Sequence, residues 1–205
     1  MRPKLPEFSG KTAHFYDAFV PFYPLVELFF RPQKRALKTL LNAFPAGTLI
    51  DLGTGDGSSF SAFRKHTVTG VDISPKMLQR ARKKAPPGTT LLRADLHGLP
   101  FGENSFDYAV LAHVISTVDQ PEKVFSEAAR VLKPGGKLFL LNHFTPDNAL
   151  RLIDKMFQPF SSKLRFRSVF YEKDLPLPET FRKISARYWL GGYFGLVVYE
   201  KEERG

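Results

Sequence analysis

The chain has no cysteine among its 205 residues. That excludes a disulfide frame, a thiolate nucleophile and any cysteine-based metal site. Histidine is sparse, five in all, and scattered without the close spacing that gathers metal ligands, so no metal is expected. No apolar run approaches the roughly 18 residues that mark a bilayer-spanning helix. The opening Met1-Arg-Pro-Lys-Leu-Pro-Glu7 is too polar and too interrupted by proline for a secretion signal. With neither a signal nor a span, the expected setting is the cytoplasm; there is also no internal repeat and no low-complexity tract. What the chain does have is phenylalanine, 20 residues, and a surplus of basic groups that gives a net charge of +10. Its length suits one domain with a full core. The surplus is spread along the chain: +4 over residues 1–44, +3 over 45–145 and +3 over 146–205. A surface of this sign is drawn to polyanions, whether nucleic acid or an anionic membrane leaflet.

The most informative stretch is Thr48-Leu-Ile-Asp-Leu-Gly-Thr-Gly-Asp-Gly-Ser-Ser59. A short apolar run that holds only Asp51 among its polar residues ends in Gly53, Gly55 and Gly57. This predicts a buried strand, a tight turn and a helix, with a backbone that a ligand can approach closely. The dinucleotide fingerprint spaces its glycines as G-x-G-x-x-G. Here the spacing is G-x-G-x-G and an acid stands near the end of the strand. Asp51 and Asp56 would repel a pyrophosphate and attract a cationic amino-acid group, which points to S-adenosylmethionine. Thr67-Val-Thr-Gly-Val-Asp72 predicts a second strand whose terminal acid lies 19 residues after Gly53 and is placed to accept from ribose hydroxyls. Ser74 and Pro75 then open a helix as N-cap and first helical residue. Thr90-Leu-Leu-Arg-Ala-Asp95 predicts a third strand, with Asp95 placed to accept from an adenine amino group. Leu99-Pro-Phe-Gly-Glu-Asn-Ser-Phe-Asp-Tyr-Ala-Val-Leu111 reads as a loop and a buried strand. Ala128-Ala-Arg-Val-Leu-Lys-Pro-Gly-Gly-Lys-Leu-Phe-Leu-Leu141 reads as a helix end, a structural turn and another strand, with Gly135 as the helix stop.

In this order and spacing, residues 48–142 resemble the class I S-adenosylmethionine-dependent methyltransferases. The resemblance implies a Rossmann-like α/β fold: a seven-stranded, mostly parallel sheet with helices on both faces and an antiparallel last strand. It implies cofactor contacts from Asp51, Gly53, Thr54, Gly55, Gly57, Asp72, Ile73, Met77, Asp95, Leu96 and Ala112. The expected layout is a single domain over 1–205. Within it, 1–44 form a helical, aromatic-rich lid, 45–145 the cofactor core, and 146–205 a substrate-side helix and a closing hairpin, Phe181–Leu190 and Tyr193–Lys201 around Gly191-Gly192.

The flanks bear on the methyl acceptor. Phe15, Phe19, Phe22, Leu25, Val26 and Phe29 recur at helical steps, while Pro21 and Pro24 should break or kink that helix. The reading is a lid that also meets a membrane interface, with Lys34, Arg35 and Lys38 at phosphates; packing on the sheet is the alternative. Leu111-Ala-His-Val-Ile-Ser-Thr-Val118, Leu141-Asn-His-Phe144, Tyr16…Pro21-Phe-Tyr23, Lys155–Phe160 and Gly192–Leu196 resemble the small soluble bacterial phosphatidylethanolamine N-methyltransferases. That resemblance implies a lipid amine as substrate, an anionic membrane surface as partner, no nucleic acid and a monomer peripherally bound to the inner face of the cell membrane. Tyr16, Tyr23, His113 and His143 are the candidate catalytic residues, for proton removal and for holding the amine by cation–π attraction. Lys163, Arg165 and Arg167 are either phosphate contacts or a solvated face. The rival readings are C-methylation of a ubiquinone or menaquinone precursor, and N-methylation of a small amine. RNA methylation lacks an Asn-Pro-Pro-Tyr-type motif after the fourth strand, and a non-catalytic cofactor-binding regulator lacks a decayed site.

Overall fold

The computed structural model describes residues 23–149, 151–152 and 171–203, and for residues 23–31 the backbone alone. Tyr16, Pro21, the aromatic positions up to Phe22, Met156–Phe160, Lys163, Arg165 and Arg167 lie outside the described residues.

The elements follow the chain as α1 (Tyr23–Leu41), β1 (Thr48–Leu52), β2 (Thr67–Asp72), α2 (Pro75–Lys84), β3 (Thr90–Arg93), β4 (Phe106–Ala112), α3 (Pro121–Val131), β5 (Leu132–His143), β6 (Phe181–Trp189) and β7 (Phe194–Lys201). A single 3₁₀ turn, Phe60–Ala62, lies between β1 and β2. The strands form one seven-stranded sheet in the order β3-β2-β1-β4-β5-β7-β6. The pairings β1–β2, β1–β4, β2–β3 and β4–β5 are parallel, whereas β7 runs antiparallel to both β5 and β6. The chain thus has the doubly wound, mostly parallel sheet that its motifs predict.

Both faces of the sheet are covered, so the central strands are apolar almost throughout. Alternate residues serve opposite cores. Ile50, Leu52, Ala109, Leu111, Leu138, Leu140 and Val197 join Val124, Phe125, Ala128 and Val131 of α3. Leu49, Tyr108, Val110, Phe139, Leu141 and Val198 join Leu37 and Leu41 of α1, Ala81 of α2 and the Phe60–Phe63 turn.

Two details differ from the sequence expectation. Pro24 does not break the helix: it is the second residue of α1, inside the first turn, where a proline lacks no needed donor. The helix instead runs through Pro32, which removes one internal hydrogen bond. Gly135 is not the stop of α3. That helix ends at Val131, and Leu132 is already extended. Gly135, at φ +73°, belongs to an irregular start of β5, where the register against β4 shifts between Phe106 and Tyr108.

Candidate active site

The order of the strands reverses at β1 and β4, and such switch points open a crevice at the carboxyl ends of the strands. β1 delivers the glycine loop to that crevice. Gly53, Gly55 and Gly57 all have positive φ, at 77°, 55° and 74°. Gly53 also carries a packing demand: a Cβ there would stand 2.5 Å from Cγ2 of Val114, just beyond β4. The first loop and the end of β4 therefore close against each other only because residue 53 has no side chain.

Three acids frame the loop. Asp51 is buried, and Thr54 donates its hydroxyl to Oδ2 at 2.6 Å. Burial pushes the Asp51 carboxyl up to about 7, against the Thr54 bond, and the nearby Asp72 charge adds to the rise. Asp72 ends β2. Its Oδ2 accepts from the Gly55 N–H at 2.9 Å and its Oδ1 from the Ser74 N–H at 2.8 Å. Burial lifts its pKa in spite of these bonds. Asp95 lies two residues past β3, and His97 holds its Oδ1 through the backbone N–H at 3.0 Å and the ring Nδ1 at 2.6 Å. Ser74 accepts from the Met77 N–H at 3.2 Å and caps α2, so Met77 is fixed in its buried first turn. Leu96 is buried beside Asp95; Ile73 follows Asp72, and Ala112 ends β4.

The acids also serve the fold. Asp56, read from sequence as part of the anion-repelling set, is paired with Lys84 at the end of α2, which neutralises it. Nothing in the spacing of residues 56 and 84 signals that pair. The loop Leu99–Phe101 is held by α3: Glu127 accepts from the Leu99 N–H at 2.6 Å, while Arg130 donates to the carbonyls of Leu99 at 2.9 Å and Phe101 at 2.7 Å. Arg130 also pairs with Glu127 and holds its carboxyl below the usual range. Lys133 and Thr48 bind Asp107, and their bonds outweigh its burial and keep it ionised. The shared Leu-Pro-Phe and Arg-Val-Leu-Lys-Pro-Gly-Gly motifs are thus buckles of the scaffold.

The other half of the crevice holds two histidines. His113 follows β4 with a left-handed backbone, φ +60°, and its N–H donates to the Leu141 carbonyl at 2.7 Å. A non-glycine residue held there is strained, and such strain concentrates at functional sites. His143 ends β5. Phe194 stands 6.3 Å from the His113 ring, and Tyr193 stands 6.0 Å from the His143 ring. Burial first, then the His143 and Lys34 charges, push the His113 imidazole down to about 3. It is neutral at any physiological pH, and can give or take a hydrogen bond without storing a proton. Lys34 and Tyr193 escaped the sequence reading of the catalytic set, because only the fold brings α1 and the last turn to the ends of β4 and β5. Tyr23 opens α1, and Tyr16 is outside the described residues. Among the described residues there is no cluster of three metal-ligating side chains.

Comparison with known proteins agrees with this geometry. Residues 50–140 match the family model described as a methyltransferase domain. The chain is 35% identical over 131 residues to a phosphatidylethanolamine N-methyltransferase of Cereibacter sphaeroides, covering 60% of this chain and 64% of the relative. It is 36% identical over 152 residues to a ubiquinone/menaquinone biosynthesis C-methyltransferase of Syntrophotalea carbinolica, covering 68% and 64%. The chain therefore spans less than two thirds of the length of either relative. In three dimensions it is similar to an S-adenosylmethionine-dependent methyltransferase of Thermotoga maritima, described as a possible histamine N-methyltransferase. The TM-score is 0.74 at 24% identity, over 92% of this chain and 99% of that one. A Pyrococcus horikoshii protein gives 0.68 at 25% identity, over 84% and 91%.

The chain belongs to the class I S-adenosylmethionine-dependent methyltransferases. The residues present fit that cofactor. A buried carboxyl pushed up to about 7 gains from an ammonium group, and Asp72 keeps unused lone pairs that hydroxyl groups can approach.

Proposed function

We propose that the protein methylates the amine of phosphatidylethanolamine, in one or more steps, at a membrane surface. The observation that carries this reading is the meeting of a half-buried His113 with a buried His143, set among Phe194 and Tyr193, with Lys34 in electrostatic reach of His113. S-adenosylmethionine supplies, when bound, an electrophilic methyl group on a sulfonium. The protein then has to hold the acceptor, keep water out and let the amine lose its proton. A neutral His113 accepts a hydrogen bond from the amine and turns its lone pair towards the crevice, while the proton passes on to solvent. The faces of Tyr193 and Phe194 favour the cation that forms as methyl is gained. Lys34 suits a phosphate two carbons away from the amine. On the cofactor side, Asp51 would take the ammonium of the methionine part, Asp72 the ribose hydroxyls and Asp95 the adenine amine. Gly53, Gly55, Gly57, Thr54, Ile73, Met77, Leu96 and Ala112 would line that half. Among the described residues no helix is long and apolar enough to cross a membrane, so the proposed association is peripheral.

C-methylation of a quinone precursor is the second reading, favoured by the Syntrophotalea relative. Labelled S-adenosylmethionine is offered with vesicles of phosphatidylethanolamine and anionic lipid, with vesicles in which phosphatidylcholine replaces the amine lipid, and with a demethylated quinone precursor. Label in the amine lipid alone supports the proposal, and label in the quinone alone replaces it. Asp72→Ala should weaken cofactor affinity by about a hundredfold, the loss of two charge-assisted hydrogen bonds, and should also lower the melting temperature, because the Gly55 and Ser74 N–H groups lose their acceptor. Unchanged affinity by calorimetry would remove the ribose role.

A further inference from the structure

The tip of the β6–β7 hairpin and the loop after β5 form a rim in which only Tyr193 has so far been given a role. Trp189 pairs with Phe194 across the hairpin, and Phe194 pairs with His143 across β5 and β7. Residues 190–193 therefore turn at the carboxyl edge of the sheet, beside the histidine pair. The Phe144 N–H donates to the Tyr193 carbonyl at 2.8 Å, and the Asn148 amide donates to the Gly191 carbonyl at 2.7 Å. These bonds fasten the 144–149 loop to the turn.

Three large apolar side chains are exposed among the described residues: Leu190, at 60%, is in the turn, Leu152, at 58%, follows the fastened loop, and Tyr188, at 44%, lies in β6 with its hydroxyl held by Glu172 and Lys183. Arg151 and Arg187, both exposed, stand next to them in sequence. Leu190 also has a left-handed backbone, φ +51°, although glycine or asparagine would sit there with less strain. Neither packing nor turn geometry accounts for a leucine at this position.

We propose that this rim docks on an anionic bilayer. Leu190 and Leu152 enter the boundary between headgroups and acyl chains, while Arg151 and Arg187 meet lipid phosphates. The inference rests on the reading that the acceptor is membrane-borne. Aliphatic tips flanked by arginines, on a chain of net charge +10, complement an anionic interface in both shape and sign. Docked in this way, the crevice with His113 and His143 opens against the membrane, and a headgroup can reach it without the lipid leaving the leaflet.

The test is sedimentation with vesicles of phosphatidylcholine and phosphatidylglycerol, which contain no amine lipid. Leu190→Gly and Leu152→Ser should each lower partitioning about tenfold, the value of one apolar side chain withdrawn from an apolar phase. Leu190→Gly should melt no lower than the wild type, because glycine relieves the left-handed backbone. Methylation of a short-chain, water-soluble phosphatidylethanolamine should stay unchanged in both variants. Wild-type partitioning by Leu190→Gly would overturn the proposal. So would loss of self-association by light scattering with vesicle binding intact, which would make the rim a contact between copies. If the variants lose vesicle binding and no amine lipid is ever methylated, the substrate reading fails and the docking surface stands. If the wild type ignores these vesicles yet methylates the soluble lipid, the docking surface fails and the substrate reading stands.

Discussion

Asp51 combines burial, a single hydroxyl donor and a neighbouring acid, and its proton affinity should be measurable from outside. Its folded pKa is raised from 3.8 to about 7. Between those values the folded chain holds a proton that the unfolded chain releases, so stability falls as pH rises through that window. The contribution is fully present below about pH 3.8 and lost by about pH 7. Asp51→Asn should remove this slope, on the order of a few kcal/mol across the window, in thermal melts of the cofactor-free protein from pH 5 to 8. The same variant should flatten the pH dependence of cofactor binding. In the wild type, binding tightens towards pH 7 as the carboxyl ionises to meet an ammonium, and titration calorimetry in buffers of different ionisation heat would register the released proton. At this scale the acids were legible, because three of them close three successive apolar runs at a glycine loop. The tilt of His113 out of β4 was not legible, since a positive φ at histidine leaves no mark in composition or period. Lys84 neutralising Asp56 depends on α2 folding back across the loop.

The buckle between α3 and the Leu99–Phe101 loop belongs to the scale of elements. Arg130 serves two carbonyls and Glu127 at once, so Arg130→Ala leaves half-buried partners without that donor. The expected loss is about 2–3 kcal/mol in urea unfolding, while Arg130→Lys, which cannot span both carbonyls, recovers only part of it. Removing a core ring is a different fault: Phe125→Ala opens a cavity on the α3 face and should lose about 3–5 kcal/mol. The strands and α2 could be read from sequence because each apolar run ends in a turn residue with a defined task. Ser74 and Pro75 mark the start of α2 as expected. The helix boundaries next to prolines could not be read so well. Pro24 falls in a first turn, where it is harmless, and Pro32 is carried inside α1, whose Leu37 and Leu41 are buried against the sheet. Packing outweighed the missing hydrogen bond. The end of α3 was set by the start of β5 pairing, three residues before the glycine that local chemistry favours.

For the whole molecule, charge is the property most open to test. With +10 spread over the chain, binding to anionic vesicles should weaken by about tenfold or more between about 50 and 500 mM salt, as screening shortens the reach of the surface field. Binding that ignores salt would leave apolar insertion as the whole of the attraction. The sheet as a whole was legible from the order of its motifs, down to the closing hairpin. The meeting of α1, the hairpin turn and the histidines was not, since residues 34, 113, 143 and 193 are distant in sequence. One feature of the topology reaches into biosynthesis. β7 follows β6 in the chain yet lies inside it, between β5 and β6. While the chain is being made, β5 has no neighbour on that side, and its bare edge of backbone donors and acceptors stays open to pairing with other nascent chains. Residues 194–201 are both the strand that seals that edge and, of the seven strands of this sheet, the last in chain order. A ribosome stalled before them would present a nearly complete, adhesive sheet.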